Sequence, residues 1–283
     1  MADDGNGPIR SLLEWRRGDG EGGYSEHLMR LQEPVWDALC RYYFRLEVDG
    51  WERLPDPPCL LVGVHSGAAL TMDAWTLIYA WWRHFGPDRF LHGTAHDVLM
   101  AAPGLGDYFR RMGVLPASGD AVSAALAAGD DVIVWPGGEK DSMRHWRKRD
   151  TAVLGGRTGF VRMAVEQQVP IVPVATVGGH DTVFVVNEGG WIARLGGLGD
   201  RFRAAKVPIV VGPPFGIAIE TVPMHLPLPA KIRTEFLDPI DLDAGPEDAS
   251  DEDLHRQVYE HVEAAIQAGM DRLAAKRRFP VFL

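Results

Sequence analysis

Basic charge is what this chain of 283 residues is short of: 29 lysines and arginines face 39 acidic residues, for a net charge of −10. Neutralising a run of phosphates needs a dominant basic surface, so nucleic acid is excluded as the main partner. Cysteine is almost missing too. Cys40 and Cys59 both sit among apolar neighbours, which suits buried thiols in a reducing compartment and leaves no disulfide framework. No uncharged apolar run approaches the roughly 18 residues of a spanning helix. The opening MADDGNGPIRSLLEWRRGDGEGG is acidic and Gly-rich, without the apolar centre of a signal peptide. The chain is therefore expected in the cytoplasm, free or lying on a membrane. Absent as well are a Cys/His set with zinc spacing, a Walker A sequence, and a G-x-G-x-x-G after a strand. The sequence thus points to no metal and no bound cofactor.

Core-forming material is present: 46% of the residues are hydrophobic and 24% charged, which excludes disorder by composition. The stretch around which the rest is arranged is Cys59 to Asp73, CLLVGVHSGAALTMD. Its apolar start, Cys59 to Val64, suits a strand buried on both faces. It breaks into His65-Ser66-Gly67 and reaches Asp73 at the start of a helix-like run, Ala74 to Trp82. A histidine at the carboxyl end of a central strand lies where open α/β sheets place their chemistry. A neutral imidazole there can take a proton from a hydroxyl, and a carboxylate on its other nitrogen fixes the tautomer. The plainer alternative is a loop histidine beside a helix-capping aspartate.

Along the chain, residues 1–23 read as a flexible lead with a short helical piece around Ile9 to Trp15. Leu28, Leu31, Val35, Leu39 and Tyr42 fall at helical steps between Ser25 and Tyr43. Phe44 to Asp49 alternates as an outer strand. Further strands are expected at Phe90–Gly93, Asp131–Trp135, Pro170–Ala175, Val207–Val211 and Ile232–Leu237. Helices are expected at Ala74–Phe85, Leu105–Met112, Asp120–Ala128, Thr158–Gln168 and Asp251–Lys276. No internal repeat or linker stands out. The expected architecture is one α/β domain with a mixed, largely parallel central sheet flanked by helices. Residues 1–43 form an N-terminal lead and helix, 44–242 the core, and 243–283 a C-terminal helix packed on it.

The strand ends bring His65 with Asp73, the turn Pro136-Gly137-Gly138-Glu139, and the segment after Val174 to one edge. Two glycines after a buried strand let the backbone approach a ligand and turn N–H groups towards an oxyanion or phosphate; alone, Pro-Gly-Gly is simply a tight turn. Arg144-His145-Trp146-Arg147-Lys148-Arg149 is a basic run in an acidic chain. It reads either as a solvated loop or as a holder of phosphate or of a membrane surface, through Arg144, Arg147 and Arg149. Arg157, entering a helix, is another phosphate candidate. The Gly-rich insert Trp191 to Arg203 mixes apolar and basic residues, as does a piece lying in a bilayer interface, roofing a tunnel, or looping over the surface.

In order, then, the chain carries a strand into His65-Ser66-Gly67 with Asp73 downstream, Val114-Leu115-Pro116-Ala117-Ser118, a strand into Pro136-Gly137-Gly138-Glu139, Gly156-Arg157-Thr158-Gly159-Phe160-Val161, and Val169-Pro170-Ile171-Val172-Pro173-Val174. From about Tyr43 to Asp241 this ordered set resembles the lysophospholipid acyltransferase superfamily, specifically its bacterial monoacylglycerol/diacylglycerol acyltransferase-like branch. The ending Arg277-Arg278-Phe279-Pro280 is similar to that branch. The resemblance implies a glycerolipid-acyltransferase-like fold and transfer of a fatty acyl group from acyl-CoA, as co-substrate, to the hydroxyl of a lysophospholipid or related glycerolipid. A peripheral position on the inner face of the cell membrane follows. His65 would be the general base and Asp73 its orienting partner, with no covalent intermediate. Ser66, Gly67, Gly137 and Gly138 would line the oxyanion or substrate site, with Asp141 or Glu139 as the block's acid. Seven residues separate His65 from Asp73 where the wider superfamily has four, and seven residues extended span roughly 25 Å, so the loop must fold back. Two rival readings stay open: a serine esterase using Ser66, although no G-x-S-x-G elbow is present, and a lipid-binding pseudoenzyme.

Overall fold

Alternation inside one strand decides where everything else packs. Leu60 and Val62 point to one side of the sheet, Leu61 and the preceding Cys59 to the other, and all four are inaccessible to solvent. Such a strand needs helices on both faces, and the fold supplies them. The computed structural model describes residues 24–195, 206–220, 225–277 and 281.

The strands in chain order are β1 (Glu47–Asp49), β2 (Leu60–Gly63), β3 (Leu91–His92), β4 (Thr94–Ala95), β5 (Leu115–Pro116), β6 (Asp131–Val134), β7 (Ile171–Val177), β8 (Phe184–Asn187), β9 (Ile209–Gly212), β10 (Gly216–Ile219) and β11 (Arg233–Phe236). The helices are α1 (Glu26–Ala38), α2 (Met72–Phe85), α3 (Asp97–Met100), α4 (Leu105–Arg111), α5 (Gly119–Ala127), α6 (Glu139–Ser142), α7 (Gly159–Gln167), α8 (Gly190–Leu195) and α9 (Glu252–Ala275). The main sheet runs β1-β11-β7-β2-β6-β3. It is parallel from β7 through β3, with β11 antiparallel to β7, so it is mixed but largely parallel. On one face Leu60 and Val62 pack with Phe160 and Val165 of α7 and Val262 and Ile266 of α9. On the other, Leu61 and Ile133 meet Leu77 and Trp81 of α2. The result is a single α/β domain with a helix at each end of the chain.

Two expectations need correction. The helix before β1 does not turn Leu31, Val35 and Tyr42 inward; they are exposed at 67%, 61% and 70%. Its contact stripe is one step round, because Trp36 stacks on Trp75 at 5.8 Å and Gln32 bonds Tyr108. Residues 39–43 continue that helix as a π turn. Second, the strand near Val207 to Val211 is not part of the main sheet. As β9 it joins β8 and β10 in a separate antiparallel sheet, and β10 was not anticipated. Trp81 and Trp82 of α2 are buried, packed in the core. The helical piece at Ile9 to Trp15 and residues 196–203 of the Gly-rich insert lie outside the described residues. Both thiols are free and buried, and burial pushes the Cys40 thiol up to about 12. No helix among the described residues is long and apolar enough to cross a membrane.

Candidate active site

Because β7, β2 and β6 are neighbours, their carboxyl ends deliver three loops to one edge. The first carries His65. After it Gly67 (φ 93°), Ala68 (φ 53°) and Thr71 (φ 42°) all take left-handed backbone, and a short 3₁₀ turn spans Ala68–Leu70. For Ala68 and Thr71 this costs about 1–3 kcal/mol each. The strain compresses the loop so that Asp73, in the first turn of α2, comes back to the histidine.

The contact is direct: His65 Nδ1 lies 3.0 Å from Asp73 Oδ2. The other carboxylate oxygen accepts the Ser66 N–H at 2.8 Å and the Ser66 hydroxyl at 3.2 Å. Asp73 is thus fully engaged and 2% exposed. Since its acceptor faces Nδ1, that nitrogen carries the proton and Nε2 is left as the base. Nε2 has no hydrogen-bond partner among the described residues, and the His65 side chain is 15% exposed. The imidazole stacks on Trp135 with centroids 4.4 Å apart and planes within 11°, which fixes its tilt. Ser66 is buried and its hydroxyl is spent on Asp73, so the serine-esterase arrangement, in which that hydroxyl would bond the histidine, is not formed.

The second loop holds the histidine's backbone. Asp141 is completely buried; its Oδ2 accepts the His65 N–H and its Oδ1 pairs with Arg144. Arg144 Nη1 donates to the His65 carbonyl at 3.0 Å, so acid and base grip the His65 residue on both sides. The remaining Arg144 donors go to the carbonyls of Asp141, Lys148 and Arg149. Burial lowers the Arg144 pKa to about 10, still charged at neutral pH. This corrects two expectations. Asp141 is a positioning residue out of reach of substrate. Arg144, 2% exposed, has no surface to offer a phosphate, because the carbonyls of its own loop surround it.

Gly137 has a steric reason: a Cβ there would lie 2.0 Å from the Val153 carbonyl oxygen. Its N–H has no partner among the described residues, whereas the Gly138 N–H closes the turn onto the Trp135 carbonyl at 3.1 Å. Of the two expected oxyanion donors, Gly138 is therefore already committed. Gly67 packs against the Gly179 carbonyl and Thr182. Glu139 is half-buried at the start of α6. The other arginines are spread out. Arg147 is exposed and lies over the Trp146 ring. Arg149 pairs with the buried Asp181 at 3.2 Å, as does Arg277 at 2.9 Å. Arg157 is exposed, bonds the Pro136 carbonyl, and borders a groove of about 490 Å³ that also reaches Ser118, Phe160 and Trp135. Through Trp135 that groove adjoins His65.

The third loop brings His180, in the turn after β7. Its ring is sealed, and both ring nitrogens lack a partner among the described residues. Burial first, then the charges of Arg144, Arg149 and His65, hold its pKa well below the usual value, so it is neutral. Trp135 and the Asp141–Arg144 grip were missed by sequence reasoning; for Trp135 the one available signal was its place directly before Pro136-Gly137.

Comparisons with known proteins bear on the family. The family model described as Acyltransferase matches residues 45–177. An uncharacterized protein of Mycobacterium tuberculosis is 30% identical over 275 residues, covering 96% of this chain and 74% of that one. The DGAT1/2-independent enzyme synthesizing storage lipids of Gallus gallus is 28% identical, covering 81% of this chain and 61% of its own length. Among solved structures, the 1-acyl-sn-glycerophosphate (LPA) acyltransferase PlsC of Thermotoga maritima superposes with a TM-score of 0.55 at 19% identity, over 96% of this chain and 88% of that one. At that identity the likeness speaks for the fold alone.

Proposed function

Because the chain belongs to the acyltransferase family, we propose that it moves a fatty acyl group from acyl-CoA to the hydroxyl of a lysophospholipid or related glycerolipid, with His65 as general base. The observation that carries this reading is the 3.0 Å contact of His65 Nδ1 with a buried Asp73, which leaves Nε2 open. The acceptor oxygen attacks the thioester carbonyl while Nε2 takes its proton. Collapse of the tetrahedral intermediate breaks the C–S bond, and the proton passes from His65 to the departing thiolate. Asp73 holds the tautomer and stabilises the imidazolium. The thiolate is a good leaving group, so an enzyme nucleophile gains little, and Ser66 is in any case committed to Asp73. The Gly137 N–H, without a partner among the described residues, supports a role as oxyanion donor. General-base action supplies about 10²–10⁴-fold, and positioning supplies much of the rest. The relative named for synthesizing storage lipids favours a lipid acceptor.

The test is incubation of the purified chain with labelled acyl-CoA and, in turn, lysophosphatidic acid, another lysophospholipid and a monoacylglycerol. Labelled diacyl product from at least one acceptor is expected, with a loss of 10²-fold or more in His65→Ala at unchanged circular dichroism. Near-full turnover by His65→Ala would overturn the mechanism, and no transfer to any acceptor would overturn the substrate class.

A further inference from the structure

The small antiparallel sheet has two apolar faces, and only one of them is covered by the described residues. Its register places Ala218 beside Val210 and Val210 beside Val185, and this inner face packs on Ala68 and Val183, next to the catalytic loop. The alternate residues therefore point outward. Phe215, Ile217 and Ile219 are exposed at 59%, 74% and 51%, and Leu226 close by is exposed as well. A contiguous open apolar face of this kind marks a docking surface.

Charge identifies what docks. From Val207 to Ala230 the sequence carries a single charged side chain, Glu220, in a chain of net charge −10. That carboxylate is buried and bonds His225 Nδ1 at 2.8 Å, so the face itself carries no acid. At its border, Phe184 of β8 meets Trp146 edge-on at 5.9 Å. Trp146 in turn carries Arg147 at 5.9 Å, and both Arg147 and Lys148 are exposed. In α8, the helix that follows β8, Trp191 and Arg194 are exposed too. An uncharged apolar face rimmed by tryptophan and basic residues suits the boundary between headgroups and acyl chains. A protein partner of an acidic chain would be expected to offer basic groups, and this face has no acid to receive them.

We propose that the outer face of β8–β10, with its Trp146–Lys148 rim, docks the protein on an anionic phospholipid bilayer. The proposal rests on the reading of a lipid acceptor and names the surface from which that acceptor comes. The rim loop is the one tied to the His65 carbonyl through Arg144, and the Ala69 N–H of the catalytic loop bonds Glu220. The docked face and the reacting histidine are thus tied together by hydrogen bonds on both sides.

Flotation of the full chain with vesicles of phosphatidylcholine alone, or with 30 mol% phosphatidylglycerol (about that fraction suffices for a negative surface potential), tests this. The wild type is expected to float with the anionic vesicles and to lose binding as salt is raised. Ile217→Asp, and separately Phe215→Ser, should cut partitioning at least tenfold at unchanged thermal stability. Arg147→Gln/Lys148→Gln should weaken binding to anionic vesicles by roughly five-fold per residue. His65→Ala should float like the wild type, so a failed catalytic reading and a failed docking reading give different results. The proposal is overturned if the wild type stays unbound on both vesicle types, if Ile217→Asp floats unchanged, or if light scattering shows a dimer that Ile217→Asp dissociates, since the face would then be covered by a second copy.

Discussion

Replacing Arg144 by methionine separates a structural role from a surface one. The side chain is 2% exposed, paired with the buried Asp141, and bonded to four backbone carbonyls including that of His65. Removing one partner of a buried pair leaves the other charge uncompensated, at a cost of about 3–5 kcal/mol. In a domain this large each kcal/mol lowers Tm by roughly 2 °C, so a fall of roughly 6–10 °C is expected. Arg144→Met/Asp141→Leu removes both charges and should cost at least ~2 kcal/mol less than the sum of the single variants, a coupling readable from urea denaturation. The kinetic signature is equally specific. The variant frees the His65 carbonyl without touching substrate, so kcat should fall about tenfold or more while KM moves little. A single variant within 1 kcal/mol of the wild type, or singles that add to within about 0.5 kcal/mol, would refute the grip on His65.

Asp73→Asn keeps the shape but no longer stabilises the imidazolium, and transferase turnover should drop by roughly 10²-fold or more; an unchanged rate would remove Asp73 from the mechanism. Gly137→Ala forces a methyl to within 2.0 Å of the Val153 carbonyl oxygen, and a loss of about 1–3 kcal/mol is expected by urea denaturation. His180, whose folded pKa lies well below its ordinary 6.5, contributes stability that is fully present above that value. Below about pH 6.5 the unfolded chain takes up a proton that the folded one refuses, so stability declines by up to about 1.4 kcal/mol per pH unit. His180→Phe should flatten the decline between pH 7.5 and 5.5, and identical slopes in the two proteins would refute the buried neutral imidazole.

What could be read in advance follows from how local each determinant is. The buried central strands were legible because Leu60 to Val62, Val132 to Val134 and Ile171 to Val174 are unbroken apolar runs, a signal contained in each run. The meeting of His65 with Asp73 was legible only as a demand that the loop fold back. The device that meets it, left-handed backbone at Ala68 and Thr71, has no residue preference to announce it, since neither alanine nor threonine favours φ above zero. Least legible was the basic run. Arg144 and Arg147 are three residues apart in one charged stretch, yet one is sealed and the other solvated, because only the first falls where Asp141 and the His65 carbonyl converge. That convergence is set by β2 and β6 lying side by side, a fact of tertiary topology that the stretch itself does not encode. The run therefore divides in structure: its first arginine is sealed between Asp141 and the His65 carbonyl, while Arg147 and Lys148 stand exposed at the surface.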